Sequence, residues 1–538
     1  MTPATAGREP RRPWRRLVAL IAVPVAMVVA LLSWAVSSPP GSSPDDDFHM
    51  ASIWCAGGPV DDRCEIVDDD ARLVPDAISP VAACYVFVPT SAGACPVREG
   101  VMTPTDRGNW VDESYPPLFY SAMSAFVSDD IQTSVVLMRA ANAVLYVGVM
   151  VLLLLLLPPA LRPVLTWGAA ISIVPLGMFL VPSVNPSSWA LISASGLWLA
   201  TLGWFRQEGW RRWALGALAA ALLAIGAGAR SDAAIYAVLG FGAASVLAFE
   251  PARRYAIRLV LPIVLSVAAA AAYFSTGLSG SIAENAASNE GLFERRALAF
   301  DNLRQLPDLW IGVFGDFGVG GLGWLDTDMP AVSSITAAAL FAAIAFAGLR
   351  RGGVRKWIAL AGVGAALVVL PMYMLLLNDV RVGEWVQPRY IFPMVIMIGG
   401  LALVEVPGRR LELGRPQIVL AAAALTLAHS MALHANLRRY VTGVDVLGFN
   451  LDRAVEWWWA TPVSPMTLWA VGSLAFAAAV ATLVAVGWRG GSSAAAARAH
   501  AVASTPPAAG ADTAAAEGAG DARPAAPPAP LRGERAPA

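Results

Sequence analysis

Arg355-Lys356 followed by WIALAGVGAALVVLPMYMLLL (Trp357–Leu377) decides the architecture. The run carries no charged residue, and its length is the roughly 20 apolar residues that an α-helix needs to cross the hydrocarbon core of a bilayer. The basic pair before it marks an end retained on the cytoplasmic side. About twelve such stretches recur along the chain, at roughly 17–37, 134–157, 163–182, 187–205, 213–229, 233–249, 258–276, 331–349, 357–377, 391–406, 417–434 and 466–487. Composition agrees: 57% of the 538 residues are hydrophobic and 14% charged, with a mean hydropathy of +0.58, so most of the surface must face lipid. A net charge of -1 excludes a nucleic-acid partner, which calls for a clear basic excess.

Basic residues fall in every second connection. They are Arg11, Arg12, Arg15 and Arg16; Arg162; Arg206, Arg211 and Arg212; Arg253, Arg254 and Arg258; Arg350, Arg351, Arg355 and Lys356; and Arg409, Arg410 and Arg415. This predicts both termini in the cytoplasm of a bacterial-type plasma membrane, with a short N-terminus over 1–16 and a membrane domain over 17–487. The first apolar stretch exceeds a typical signal-peptide core and has a poor small-residue exit at Ala35 to Ser38, so it reads as an uncleaved helix. The two longest connections, 38–133 and 277–330, then face outward. The Ala-, Pro- and Gly-rich tail over 488–538 reads as disordered. No repeat is visible in the chain.

All four cysteines, Cys55, Cys64, Cys84 and Cys95, fall in the first outward segment. An even set on an oxidising side reads as disulfides. Three pairings are open, and Cys55–Cys64 with Cys84–Cys95 is favoured because both close short loops. A zinc site is the alternative, but no C-x-x-C pair is present.

Chemistry concentrates in the same segment. Pro44-Asp45-Asp46-Asp47-Phe48-His49 suits a helix N-terminus, where carboxylates meet free N–H groups. With Phe48, Ile53 and Trp54 as apolar surface, the helix is expected to lie on the outer leaflet. If it begins by Asp45, Asp45 and His49 are one turn apart, a spacing that orients a general base or holds a divalent metal such as Mg or Mn. The bland alternative is a solvated, capped helix start. Further on, Tyr115-Pro116-Pro117-Leu118-Phe119-Tyr120 reads as a rigid entry to an aromatic stretch, with an interfacial anchor as its simpler role. Arg389 in Gln387-Pro388-Arg389-Tyr390 and Arg230 beside Asp232 sit at the mouths of apolar stretches, and Arg295 and Arg296 in the second long loop. An arginine at such depth needs a partner, either a phosphate group or an internal carboxylate: Asp232 for Arg230, Glu384 for Arg389.

Taken in order, these motifs resemble those of a bacterial family of multi-pass membrane proteins known only as a domain of unknown function and related to GT-C glycosyltransferases. Pro44-Asp45-Asp46 with His49 is similar to its Pro-Asp-Glu-x-x-His, and Tyr115 to Tyr120 to its His-Pro-Pro-Leu-Tyr-Tyr. Asn185-Pro186, Gly323-Trp324-Leu325-Asp326-Thr327, and Gln387-x-Arg389-Tyr390 followed by Pro393 also fit. Asp46 stands for Glu, Tyr115 for His and Pro388 for Gly. The resemblance implies an all-α polytopic protein of GT-C-like architecture. It further implies an inverting glycosyltransferase that moves sugar from a polyprenyl-phosphate donor to a cell-envelope glycan on the outer face, with an essential Asp in the first external loop. Asp45 is then the expected base, His49 its orienting partner or co-ligand of a metal, and Asp46 a reserve for either role. Arg389 and Arg230 would hold the lipid phosphate, with Gln387, Tyr390, Tyr115, Tyr120, Trp324 and Asp326 completing the substrate site. The rival readings are a flippase for a lipid-linked glycan and a non-catalytic partner in envelope assembly.

Overall fold

The structure is a computed structural model that describes residues 13–60, 62–111, 113–275, 292–315, 320–350, 352–384, 386–404 and 413–503. In chain order the first helices are α1 (Pro13–Ala35), α2 (Asp46–Trp54), α3 (Leu118–Met123), α4 (Ile131–Leu156), α5 (Arg162–Ile173), α6 (Leu176–Leu180), α7 (Ser187–Arg206) and α8 (Gly209–Ala227). They continue with α9 (Ser231–Ala248), α10 (Arg253–Phe274), α11 (Leu292–Ile311), α12 (Ala331–Leu349), α13 (Val354–Leu377), α14 (Pro388–Leu403), α15 (Arg415–Val441) and α16 (Pro465–Ala503).

A helix falls on every expected apolar stretch, although 163–182 is divided into α5 and α6 around Pro175, which has no N–H for a helical ladder. Among the described residues, 7 helices are long and apolar enough to cross a membrane: α4, α9, α10, α12, α13, α15 and the Pro465–Ala485 part of α16. Two shorter apolar helices, Leu20–Ala35 within α1 and α14, accompany them. This is a multi-pass membrane protein in contact with lipid. On α10 that contact is plain, since Ile257, Val260, Ile263, Val264 and Val267 are all exposed and would be costly in water.

α7 is the opposite case, buried from Ser187 to Phe205. Small residues let its neighbours close in, as they do between helices that gain nothing by leaving lipid. A Cβ on Gly196 would lie 2.8 Å from Leu153 of α4 and 2.9 Å from Leu222 of α8. α14 crosses α7 at Gly400, where a Cβ would come within 2.4 Å of the Trp198 ring. Gly168 of α5 closes on the Gly400 backbone from another side, its Cβ position 3.2 Å from Gly400 Cα.

Between α1 and α4 the chain forms a small antiparallel sheet of β1 (Glu65–Ile66), β2 (Arg72–Pro75) and β3 (Met102–Thr105), ordered β1-β2-β3 with Leu73 opposite both Glu65 and Pro104. Disulfides join Cys55 to Cys64 and Cys84 to Cys95. One expectation is corrected here: α2 does not lie on a membrane surface. Met50, Ala51, Ile53 and Trp54 are buried in the core, and so are Asp46, Asp47 and His49 on its other faces. A helix enclosed on all sides by protein has no face left for lipid.

The chain divides after Gly487. In the second unit, Trp488–Ala538, the backbone is helical to Ala503. The expected disordered tail beyond that point, and residues 276–291 of the second long loop, lie outside the described residues.

Candidate active site

After α1 the chain runs from Ala35 to Pro44 without regular structure and is largely buried. Buried carbonyls there must find donors, and long-range side chains supply them. Arg139 of α4 donates to the carbonyls of Ala35, Ser38 and Pro39, each at 2.8 Å, and to Ser42 Oγ at 3.1 Å. The Tyr85 hydroxyl donates to Pro40 O (2.9 Å), Trp324 Nε1 to Gly41 O (2.9 Å) and the Tyr440 hydroxyl to Ser42 O (3.2 Å). Pro44 O accepts from Asn185 Nδ2 at 2.7 Å and Arg389 Nη1 at 3.3 Å. The strap ends at Asp45, whose φ of 59° is left-handed, a region that Asp tolerates better than most residues. Asp45 is the N-cap of α2, yet its side chain makes no capping bond. Its carboxylate is turned away from the helix.

It turns toward Arg389. Asp45 Oδ2 lies 2.5 Å from Arg389 Nη2, and Oδ1 lies 3.7 Å from Arg107 Nη2. Arg107 also binds both carboxylate oxygens of Asp47. Glu384, the alternative partner for Arg389, is not used in this way. Arg230 takes the internal carboxylate, forking onto Asp232 at 2.9 and 2.8 Å while also donating to Ser187 Oγ at 3.2 Å. Its guanidinium stands 4.7 Å from the Tyr390 ring and 5.7 Å from the Tyr115 ring, both within cation–π reach. Tyr236 donates to Tyr390 O at 2.5 Å. His49 Nδ1 is 3.0 Å from the Tyr120 hydroxyl, whereas His49 Nε2 is buried with no partner.

These contacts bring four helix starts together. Asn185 joins α7 to α2 through Pro44, Arg389 joins α14 to α2, Arg230 joins α9 to α7, and Tyr236 joins α9 to α14. The positive ends of helix dipoles lie at helix starts, so a meeting of four starts is an environment suited to an anion.

Burial and charge set the protonation of the group. Burial tends to raise the Asp45 carboxyl, but Arg389 and Arg107 outweigh it and hold the pKa below the ordinary value. The Asp45 side chain is 34% exposed, so the ionised oxygen remains reachable. Asp46 is 0% exposed, with one oxygen accepting from Ser43 N–H and the other unpartnered. Burial pushes it up to about 7 against the pull of Arg139. Burial likewise pushes His49 down to about 3, opposed by Asp45 and aided by Arg389, Arg230 and Arg107. At neutral pH His49 is therefore a neutral imidazole.

A divalent metal does not fit this arrangement. Among the described residues no group of three or more His, Cys, Asp or Glu side chains converges, and Asp45 is already neutralised by two guanidinium groups that would repel a cation. Trp324 and Asp326 are placed apart from the cluster. Asp326 is a nearly buried ion-pair partner of Arg439 (2.8 Å) that also accepts from Phe87 N–H (3.0 Å). Its other oxygen accepts from Trp324 N–H and Thr327 Oγ1, each at 3.3 Å, and Trp324 in turn holds the strap that delivers Asp45. Gln387 caps α14 with its Oε1 buried and unpartnered. Phe119 and Tyr120 face inward rather than forming an interfacial belt. Sequence reasoning missed Arg107, Tyr236 and Arg139. Only Arg139, a charge inside an apolar stretch, carried a signal that could have flagged it.

Beside the cluster a cleft of about 470 Å³ opens between α2, the Cys55–Cys64 bridge, Trp110, Tyr115 and Tyr120.

The family model described as "Predicted membrane protein (DUF2142)" matches residues 27–398. The chain belongs to this family. The matched DUF2142 region runs from α1 into α14 and so contains both Asp45 and Arg389, the two ends of the central ion pair. No curated protein and no solved structure matches the chain.

Proposed function

We propose that this protein is an inverting membrane glycosyltransferase of GT-C-like architecture, with the expected twelve or so crossings. It takes sugar from a polyprenyl-phosphate donor and transfers it to a cell-envelope glycan on the outer face, with both termini in the cytoplasm. The observation that carries the reading is the pairing of one reachable carboxylate, Asp45, with the buried Arg389 at a point where four helix starts are tied together. Arg389 and Asp45 are 344 residues apart in sequence and 2.5 Å apart in space. Two disulfides on the same segment support its placement on the oxidising side.

In the proposed reaction the acceptor hydroxyl oxygen attacks the anomeric carbon as the bond from that carbon to the phosphate oxygen breaks. Asp45 takes the hydroxyl proton, and the bonding electron pair leaves with the lipid phosphate. Arg389, with the helix starts around it, stabilises the charge gained by that phosphate. A phosphate that engages Arg389 also loosens the ion pair holding the Asp45 pKa down, so donor binding makes Asp45 a stronger base. Neutral His49, hydrogen-bonded to Tyr120, lines the site without adding positive charge near the base.

The test is sugar transfer from radiolabelled polyprenyl-phosphate sugars in membranes carrying the wild type, Asp45→Asn or Arg389→Ala at matched abundance. Asp45→Asn is expected to reduce turnover at least 100-fold. Arg389→Ala is expected to weaken donor use as well as turnover. Full transfer by Asp45→Asn would remove it as base, and no transfer by the wild type with any donor would favour a flippase or an assembly partner.

A further inference from the structure

The cleft beside the cluster is built mostly from parts that the proposed chemistry does not use. Its volume of about 470 Å³ lies within the roughly 300–1,000 Å³ of small-molecule sites. Its aromatic surfaces are Trp110, Tyr115 and Tyr120, and its polar groups include Arg72, Asn109 and Glu113. Flat aromatic rings beside polar side chains match a pyranose, which offers C–H bonds on its faces and hydroxyls around its edge.

The aromatic walls are fixed in advance. Trp110 Nε1 donates to Asp70 O at 2.9 Å, and the Arg72 guanidinium stands 5.6 Å from the indole. The ring packs closely against Gly108, where a Cβ would come within 2.1 Å of it. Only a residue without a side chain leaves the indole that position. Asn109 then ties this turn to the opposite wall. Its Nδ2 donates to Tyr115 O at 2.8 Å, its Oδ1 accepts from Tyr115 N–H at 2.9 Å, and its own N–H donates to Ser52 Oγ of α2 at 2.9 Å. Rings locked before binding spare a ligand the cost of ordering them. The cleft also communicates with the reacting groups, because Tyr120 lines it and binds His49.

We propose that this cleft is a saccharide-binding subsite that holds the acceptor glycan, with Trp110 as its stacking platform and Tyr120 at the boundary with the transfer site. The inference rests on the glycosyltransferase reading only for the word acceptor; saccharide binding is testable without it.

Saturation-transfer NMR on the full chain in nanodiscs, with neutral disaccharides of glucose, galactose, mannose and arabinose as probes, tests the subsite directly. The wild type is expected to bind at least one probe saturably. Trp110→Ala and Gly108→Val are each expected to weaken that binding at least 10-fold. Thermal melting verifies that each variant is folded, and Trp110→Phe, which keeps a ring, is expected to restore part of the binding. Binding by none of the probes, or equal binding by wild type and a folded Trp110→Ala, would overturn the subsite. Saccharide binding with no transfer by the wild type would leave the subsite standing and remove the transferase. Transfer that is insensitive to Trp110→Ala would do the reverse.

Discussion

Asp46 and His49 sit within one turn of each other and are pushed in opposite directions by the same burial. Asp46 is raised from 3.8 to about 7, so between those values the folded chain holds a proton that the unfolded chain has released, and stability falls as pH rises. His49 is lowered from 6.5 to about 3, so over that interval the unfolded chain holds the extra proton and stability rises with pH. The two contributions largely offset between about pH 4 and pH 6.5. Asp46→Asn removes one of them. The variant is expected to lose on the order of 3 kcal/mol on acidification from neutrality to about pH 4, where the wild type changes little from this source. Melting temperature in detergent across that range is the measurement, and parallel profiles would show that the Asp46 proton is not held in this way. Tyr120→Phe is a milder change at the same scale. It leaves His49 Nδ1 without its hydroxyl partner and is expected to cost about 1–3 kcal/mol, read by the same melting measurement at neutral pH.

The element on which the site depends is the irregular strap from Ala35 to Pro44. Its position comes mostly from outside itself, since the carbonyls of Ala35, Ser38, Pro39, Pro40, Gly41, Ser42 and Pro44 meet side chains far away in sequence, while that of Ser43 accepts from the nearby Asp46 N–H. Arg139→Met keeps bulk in α4 while stripping the carbonyls of Ala35, Ser38 and Pro39 of their donors. At about 1–3 kcal/mol for each carbonyl left unsatisfied, the loss is expected to reach at least 3 kcal/mol. Hydrogen exchange should quicken in the strap and at the start of α2. Asn185→Leu is expected to act more locally, because Pro44 O keeps Arg389 as a second donor. It should lower transfer more than it lowers the melting temperature. Unchanged exchange in Arg139→Met would mean that the strap holds its shape without these bonds.

Across the whole molecule, the site depends on close approach between helices. Gly400 lets α14 lie against α7 and α5, and Gly400→Leu would place a side chain where the Trp198 ring stands. The expected result is a loss of 1–3 kcal/mol or more from overpacking, together with reduced transfer, since α14 also carries Arg389. The disulfides act at a different place. Replacing Cys55 and Cys64 with Ser opens a loop with a sequence separation of 9, and the expected cost is about 2–3 kcal/mol. Protease sensitivity should rise between α1 and α4 while the helices still melt together. Melting curves and limited proteolysis on the two variants separate these effects.

Hydropathy made the membrane helices legible, because each is a local run of chain whose backbone bonds close within itself. The cysteine pairing was legible for a related reason, since both bridges close short loops. Asp45 and His49 could be singled out by their one-turn spacing at a helix start, and Arg389 and Arg230 because charge beside an apolar stretch is costly enough to need an explanation. The sequence offered Asp232 for Arg230, and that pair forms. It did not say that Arg389 would meet Asp45 rather than the nearby Glu384, because packing at α7 and α14 decided which helix starts converge. Nor could it show that Trp324 and Asp326 brace the strap, that α2 is enclosed, or that Gly108 makes room for the Trp110 ring. Apolar length is a property of one segment and can be read along the chain. The partner of a buried charge depends on which segments touch, and only the tertiary structure decides that.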